Sequence, residues 1–241
     1  MIRWQVNAVR CALLFGLVGV VMIPSARAQE KRGLVVVISG MGSDASEAQI
    51  QRTAKFRRGN SGGYELMIDF KDAGFETKFF NWNGVEAGKF KTEQGKGPKP
   101  IVDFIRESVD RSKPKRLILV GHSWGGHTML EVAKQLENEP KVKVEMAFSI
   151  DASSFSRGRI DPLPENIEQL VSYYSANLIC WGEWKEPRVK NIFLGDPANG
   201  FMKNGSPKYD LKFDTGAHNA AEWDEKIHTD IIRRATTAKP K

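Results

Sequence analysis

The pentapeptide Gly121-His122-Ser123-Trp124-Gly125 is the segment whose residue types and spacing best suit covalent chemistry. It matches Gly-x-Ser-x-Gly, a turn that presents a nucleophilic serine between a strand and a helix. The apolar run Arg116–Val120 precedes it, and apolar residues at helical spacing follow it. The glycines permit a crowded, strained turn, and a helix N-terminus favours developing negative charge. Ser123 is therefore predicted to be a nucleophile.

A serine hydroxyl is a weak nucleophile, so this chemistry also needs a base and a group that orients the base. In sites built on this turn, the order along the chain is Ser, then Asp or Glu, then His. His218 is the favoured base because it is predicted to lie in a loop just before the last helix. His228 lies inside that predicted helix, where a structural histidine is commoner, and it is kept as the alternative.

The orienting acid is predicted to be Asp151. This residue ends the apolar strand that follows the helix predicted directly after Ser123, at the edge of the sheet where functional residues collect on loops. Asp196 follows a later predicted strand and remains the alternative, although its neighbours Gly195 and Pro197 equally suit an ordinary turn.

An ester-cleaving site of this kind also needs donors for the oxyanion that forms during attack. The backbone N–H of Trp124, the residue after the nucleophile, is the first expected donor. The second is assigned to the backbone N–H of Met41, in the glycine-containing turn Ser39–Gly42 after the first strand.

The elements that must position these residues alternate along the chain. Strands are predicted at 33–39, 77–82, 116–120 and 142–150, with shorter ones at 178–181, 190–194 and 211–213. Helices are predicted at 64–73, 101–112, 123–137, 165–171 and 220–234. This alternation predicts an α/β fold, in which a mostly parallel central sheet is covered by helices on both faces.

The first 28 residues have the pattern of a secretory signal peptide. Arg3 and Arg10 precede an apolar run from Cys11 to Ile23, and Ala26-Arg27-Ala28 has the small-x-small pattern of a cleavage site. The apolar run is shorter than the roughly 20 residues that span a membrane. Residues 1–28 are therefore expected to be removed on export, to the periplasm or the medium, and residues 29–241 to form a single domain.

Cleavage would change the charge and the cysteine count. The segment carries three arginines and no acid, so the formal charge falls from +7 to +4. Cys180 remains as the one cysteine, so no internal disulfide is expected and the fold must rest on its core. The small basic excess is typical of a solvated surface, and no basic stripe interleaved with aromatic residues indicates nucleic acid.

Metal and organic cofactors are not expected. The four histidines include no His-Glu-x-x-His motif and no Cys/His cluster. Gly121–Thr128 has the glycine spacing of a phosphate-binding P-loop, but His127 stands where that loop requires a lysine.

From Leu34 to about Ile232, the order of elements and the elbow GHSWGG resemble the α/β-hydrolase superfamily, especially its lipase- and esterase-like members. The acid in FSIDASS resembles the arrangement in pancreatic-lipase-like relatives, and AHNAAEWDEKIHTDII is similar to family members with a catalytic His before the last helix. The chain departs from the family in having Ser39-Gly40 where a His-Gly pair is familiar. It is also short, which leaves little room for a large cap.

The sequence thus predicts a serine hydrolase that cleaves carboxylic esters through an acyl-enzyme, acting on a small-molecule or lipid ester. A thioesterase or amidase would use the same groups. A binding protein on a hydrolase scaffold is the alternative from another class, because a fold does not dictate a function. No stable membrane insertion is expected once the signal peptide is removed, and the sequence leaves the oligomeric state open.

Overall fold

The structure is a computed structural model that describes residues 31–40, 61–84, 97–112, 116–154, 159–201, 209–212 and 215–238. All of these residues belong to one compact unit, Lys31–Lys241. The predicted signal peptide and Met41 lie outside the described residues.

Six strands form a parallel sheet through the middle of this unit. They are β1 (Leu34–Ser39), β2 (Glu76–Asn81), β3 (Leu117–His122), β4 (Met146–Ile150), β5 (Leu170–Tyr174) and β6 (Val189–Phe193). Their order across the sheet is β2-β1-β3-β4-β5-β6, and every neighbouring pair is parallel. β1 and β3 are buried at every residue, as their continuous apolar sequences predict for strands covered on both faces. The carboxyl ends of all six strands therefore meet at one edge.

The described helices are α1 (Gly62–Asp72), α2 (Lys99–Ser112), α3 (Trp124–Leu136), α4 (Thr215–Ala221) and α5 (Glu225–Thr237). Alternate strand residues point to opposite faces, so the sheet has two apolar clusters. Side chains of α1, α4 and α5 complete one cluster, and side chains of α2 and α3 complete the other. Because all five helices pack on the sheet, none of them forms a separate cap.

Two of the predicted helices are wrong in the structure. The segment 165–171 is not helical: it forms turns and then enters β5, where Val171 pairs with Phe148 of β4. The predicted closing helix 220–234 is two helices, because Asp224 caps the second one by accepting a hydrogen bond from the Lys226 N–H at 2.9 Å.

The short predicted strands have mixed outcomes. The strand predicted at 190–194 is β6, shifted by one residue. The strand predicted at 178–181 is reduced to one antiparallel bridge between Ser153 and Cys180. Residues 211 and 212 are not in a strand, and Phe213 lies outside the described residues. Within the described ranges, no helix is both long and apolar enough to cross a membrane.

Candidate active site

Ser123 occupies the sharp turn between β3 and α3. Its φ of 53° and ψ of −124° are rare for a residue with a side chain. Its N–H donates to the Ile150 carbonyl at 3.0 Å, and its carbonyl accepts from the Gly126 N–H at 2.9 Å. These bonds hold the strained turn and place the Ser123 side chain at the carboxyl edge of the sheet.

The two outer glycines of the motif are required by close approach. A Cβ on Gly121 would lie 2.6 Å from the Cα of Gly126, inside the turn itself. A Cβ on Gly125 would overlap the carbonyl of Ile38, because the first turn of α3 lies directly against β1. The motif therefore reflects the crowding of strand, turn and helix at this point.

The structure brings Ser123, His218 and Asp151 together in one hydrogen-bonded chain. His218 Nε2 lies 2.8 Å from Ser123 Oγ, and His218 Nδ1 lies 2.8 Å from Asp151 Oδ2. Because the carboxylate can only accept, Nδ1 carries the proton and donates to it, which leaves Nε2 to accept from the serine hydroxyl. All three side chains are buried, and Asp151 is 0% exposed.

Asp151 lies beside Ser123 because β3 and β4 are paired in register. His122 is opposite Ile150, so the next residue of each strand emerges at the same level of the edge. The backbone of Asp151 has a φ of 45°, and the Asp151 N–H donates to the Tyr173 carbonyl at 2.7 Å. Ser123 and Asp151 are thus the residues that directly follow two adjacent strands.

The Asp151 carboxylate is held ionised by its hydrogen bonds. Burial alone would raise its pKa, but donation from His218 and from Ser175 outweighs burial and holds the pKa below its usual range. Ser175 donates its N–H to Oδ1 at 2.8 Å and its hydroxyl to Oδ2 at 2.9 Å. A negative charge is therefore available to orient and stabilise His218.

His218 does not lie in a loop, as the sequence predicted, but in the short helix α4. It still reaches Ser123, because the helix places the His218 ring within hydrogen-bond distance of the Ser123 hydroxyl. His122 contacts His218: the His122 Nε2 donates to the His218 carbonyl at 3.1 Å, and the centroids of the two rings lie 5.1 Å apart. Burial lowers the pKa of His122, so this contact is made by a neutral imidazole.

The two alternatives from the sequence lie elsewhere. His228 is in α5, where its Nδ1 lies 3.2 Å from Asp69 Oδ2 and its Nε2 donates to the Glu222 carbonyl at 2.8 Å. Asp196 caps a 3-10 helix at Pro197–Asn199 by accepting from the Ala198 N–H at 2.9 Å. Both make ordinary structural contacts and neither joins the hydrogen-bonded chain of Ser123.

Of the expected oxyanion donors, Trp124 is the first residue of α3, so its N–H belongs to the positive end of that helix. Met41 lies outside the described residues. Its neighbour Gly40 lies against Ser123, since a Cβ on Gly40 would lie 2.8 Å from the Ser123 Cβ. The backbone that leads into Met41 therefore runs next to Ser123.

Ser39, which replaces the histidine familiar at this turn, is held by a buried acid. Its hydroxyl donates to Glu222, and its oxygen lies 3.1 Å from the Ser61 hydroxyl. Glu222 follows α4 directly, so this contact ties the end of β1 to the helix that carries His218. This link could not be predicted from the sequence, because 183 residues separate Ser39 from Glu222.

Two more residues missed by the sequence contact the central three. Ser153 lies two residues beyond Asp151; its hydroxyl is 3.3 Å from Ser123 Oγ, and its N–H donates to the Ser123 carbonyl at 3.1 Å. Cys180 Sγ lies 3.4 Å from His218 Nδ1. Burial and the negative charge of Asp151 raise the pKa of this thiol, so it stays protonated.

Aromatic side chains pack on the residues that follow Ser123 in the chain. Trp82 and Trp124 pack edge to face with 4.8 Å between ring centroids, and the Trp82 carbonyl accepts from Thr128. His127, also in α3, packs against Trp181 with 5.7 Å between ring centroids. Aromatic side chains of this kind suit the binding of an apolar group.

Comparisons with known proteins give matches among solved structures alone. No protein-family model matches the sequence, and a search of curated proteins gives no match. A serine hydrolase without a lid from Xanthomonas campestris is 16% identical, with 87% of this chain and 85% of that chain covered and a TM-score of 0.47. An esterase from Pyrococcus furiosus is 12% identical, with 85% and 82% covered and a TM-score of 0.45.

A cutinase-like protein from Cryptococcus sp. is also similar, at 12% identity, with 88% of this chain and 98% of that chain covered and a TM-score of 0.42. The fold assignment rests on this chain's own strand order and elbow rather than on these similarities. A parallel sheet flanked by helices, a serine at a strained strand–turn–helix junction, and an acid and a histidine that follow it in the chain are the features of one architecture. The chain has the α/β-hydrolase fold.

Proposed function

We propose that the protein is a serine hydrolase that cleaves carboxylic esters through an acyl-enzyme intermediate. The observation that carries the proposal is the pair of 2.8 Å contacts that link Ser123 Oγ through the His218 imidazole to Asp151. A nucleophile, a base and an orienting acid in this geometry can activate a hydroxyl for attack on a carbonyl.

In the first half of the reaction, Ser123 Oγ attacks the ester carbonyl while His218 Nε2 takes the hydroxyl proton. The resulting imidazolium is stabilised by the ionised Asp151, which keeps its hydrogen bond to Nδ1. His218 then returns the proton to the leaving alcohol, and the acyl group stays on Ser123. Water attacks this acyl-enzyme in the second half, with His218 again as the base.

The oxyanion of each tetrahedral intermediate is assigned to the backbone N–H groups of Trp124 and Met41. Trp124 is supported by its place at the first turn of α3, next to the nucleophile. Met41 is supported by the close approach of Gly40 to Ser123. No metal or organic cofactor enters this mechanism.

An ester with an apolar acyl or alcohol group is the proposed substrate class. The pair of Trp82 with Trp124, the residue after Ser123, and Trp181, which packs on His127, supply apolar surface for such a group. Thioesters and amides would be attacked by the same groups, and a panel of the three acyl derivatives separates them.

Hydrolysis of p-nitrophenyl esters of increasing chain length tests the function and ranks acyl groups. Ser123→Ala should lower kcat by a factor on the order of 10⁴–10⁶, because the acyl-enzyme can no longer form. Circular dichroism should show an intact fold. A folded Ser123→Ala protein that keeps most of its activity would refute the proposal, and a folded wild-type protein without any activity would favour a binding protein on this scaffold.

A further inference from the structure

Three potential metal ligands meet on the side of the His218 ring that faces away from Ser123. They are His218 Nδ1, Asp151 Oδ2 and Cys180 Sγ. Nδ1 lies 2.8 Å from the carboxylate oxygen and 3.4 Å from the sulfur, and all three atoms lie within 4.8 Å of one another. The thiol has no part in the proposed proton path, which needs the two other residues and Ser123 alone.

The spacing of these atoms is close to that of a tetrahedral zinc site. Bonds of about 2.0–2.3 Å from zinc to nitrogen, oxygen and sulfur place the ligand atoms about 3.3–3.6 Å apart. The Nδ1–Sγ distance already has this value. The Nδ1–Oδ2 distance would have to open by roughly 0.5 Å, which a small rotation of the two side chains can supply.

The chemistry of the three donors selects the kind of ion. A thiolate, an imidazole and a carboxylate together suit Zn²⁺, whereas Mg²⁺ requires oxygen ligands in an octahedral arrangement. The carboxylate is already fixed by two hydrogen bonds from Ser175, as metal-binding carboxylates commonly are.

The cluster also has an approach from the surface. Asp151 is fully buried, but Cys180 is half-buried and lies in the segment 177–181, in which Leu178 is 63% exposed. Of the three residues Cys180 is the most exposed, so we expect an ion to enter from its side and water to complete the coordination there.

We propose that Cys180, His218 and Asp151 form a zinc site that switches the hydrolase off when it is occupied. The switching rests on the proposed function, while zinc binding does not.

The inhibition follows from the proton balance. Zinc binding displaces the thiol proton of Cys180 to solvent. The neutral imidazole keeps its single proton, which moves through solvent from Nδ1, now bound to zinc, to Nε2. One Zn²⁺, one thiolate and one carboxylate then have no net charge. With a proton on Nε2, His218 has no lone pair to accept the hydroxyl proton of Ser123, so attack on an ester stops.

The experiment titrates metal-free full chain with ZnCl₂ and measures binding by calorimetry and ester hydrolysis in parallel. One ion should bind per chain, and hydrolysis should fall in step with occupancy. Cys180→Ser, which removes the thiolate with little change in volume, should weaken zinc binding roughly tenfold or more. Each variant's inhibition is expressed relative to its own metal-free rate.

Three controls make the result specific. Ser123→Ala should bind zinc like wild type, because the hydroxyl is not a ligand, so binding can be scored even if no ester is hydrolysed. His228→Gln removes the His228–Asp69 pair, another place where zinc could bind, and should leave affinity and inhibition unchanged. MgCl₂ should have no effect. Absence of zinc binding to the folded chain, or equal binding and inhibition in Cys180→Ser, would overturn the proposal.

Discussion

At the scale of single residues, the site depends on two strained positions. Ser123 and Asp151 both have positive φ, 53° and 45°, and such conformations typically cost of the order of 1–3 kcal/mol each. Each is held by its backbone: the Ser123 N–H donates to Ile150, and the Asp151 N–H donates to Tyr173. In these conformations the side chains of Ser123 and Asp151 are both hydrogen-bonded to His218.

The identity of the acid gives a residue-scale prediction. Asp151→Asn should lower kcat by roughly 10⁴, because an amide cannot stabilise the imidazolium and can favour the wrong tautomer of His218. Asp196→Asn is the matched control: it changes a carboxylate that caps a short helix after the edge strand β6, and should leave kcat almost unchanged. Steady-state hydrolysis of one activated ester measures both, and a comparable loss in the two variants would contradict the assignment.

The sequence supplied the three central residues through their order and spacing, which the elbow motif makes informative. The contacts of Ser175 and Cys180 could not be predicted from it. Ser175 bonds Asp151 across two neighbouring strands, and Cys180 reaches His218 across 38 residues of chain. Such contacts depend on side-chain placement in the folded state, for which a single sequence carries no local signal.

At the scale of elements, Arg116 joins three segments at the end of the sheet opposite the site. It precedes β3, pairs with Glu145 through two bonds of 2.7 Å, and donates to the Ala235 carbonyl in α5 at 2.8 Å. The arginine is almost fully buried, and its guanidinium lies 5.9 Å from the Phe75 ring. It therefore fixes β3 and α5 to each other.

Arg116→Ala should lower the free energy of unfolding by about 3–5 kcal/mol, because it leaves Glu145 without its partner in a largely buried place. Arg106→Ala is the matched control, since Arg106 pairs with Glu139 at 2.8 Å on the surface. That pair should contribute about 0–1 kcal/mol. Denaturant unfolding measures both, and kcat of the folded fraction should stay unchanged. Equal losses in the two variants would show that burial does not decide the strength of these pairs.

The errors in the predicted elements have physical causes. Residues 165–171 follow two prolines and begin with Glu165, a pattern that resembles a helix start, but burial of Leu170 and Val171 beside β4 places the end of this segment in a strand. The last helix is divided because Asp224 caps its second half. In the first case tertiary pairing overrides a local preference, and in the second the Asp224 side chain starts a new helix within the predicted one.

At the scale of the whole molecule, the strand order creates the site. β3 lies between β1 and β4, so the chain segments that leave these two strands pass on either side of Ser123. Gly40, which follows β1, lies against Ser123. Asp151, which follows β4, is hydrogen-bonded to His218. The alternation of elements predicts a parallel sheet, but the order of its strands depends on long-range packing that the sequence pattern does not encode.

Whether Ser123 is the activated nucleophile is tested by mass-spectrometric mapping of the adduct formed with a fluorophosphonate, which reacts with activated serines. We expect one adduct per chain on Ser123, absent in Ser123→Ala, strongly slowed in His218→Ala and retained in His228→Ala. An adduct on Ser153, whose hydroxyl lies 3.3 Å from that of Ser123, or no adduct on the folded protein, would contradict the claim that Ser123 is the activated nucleophile.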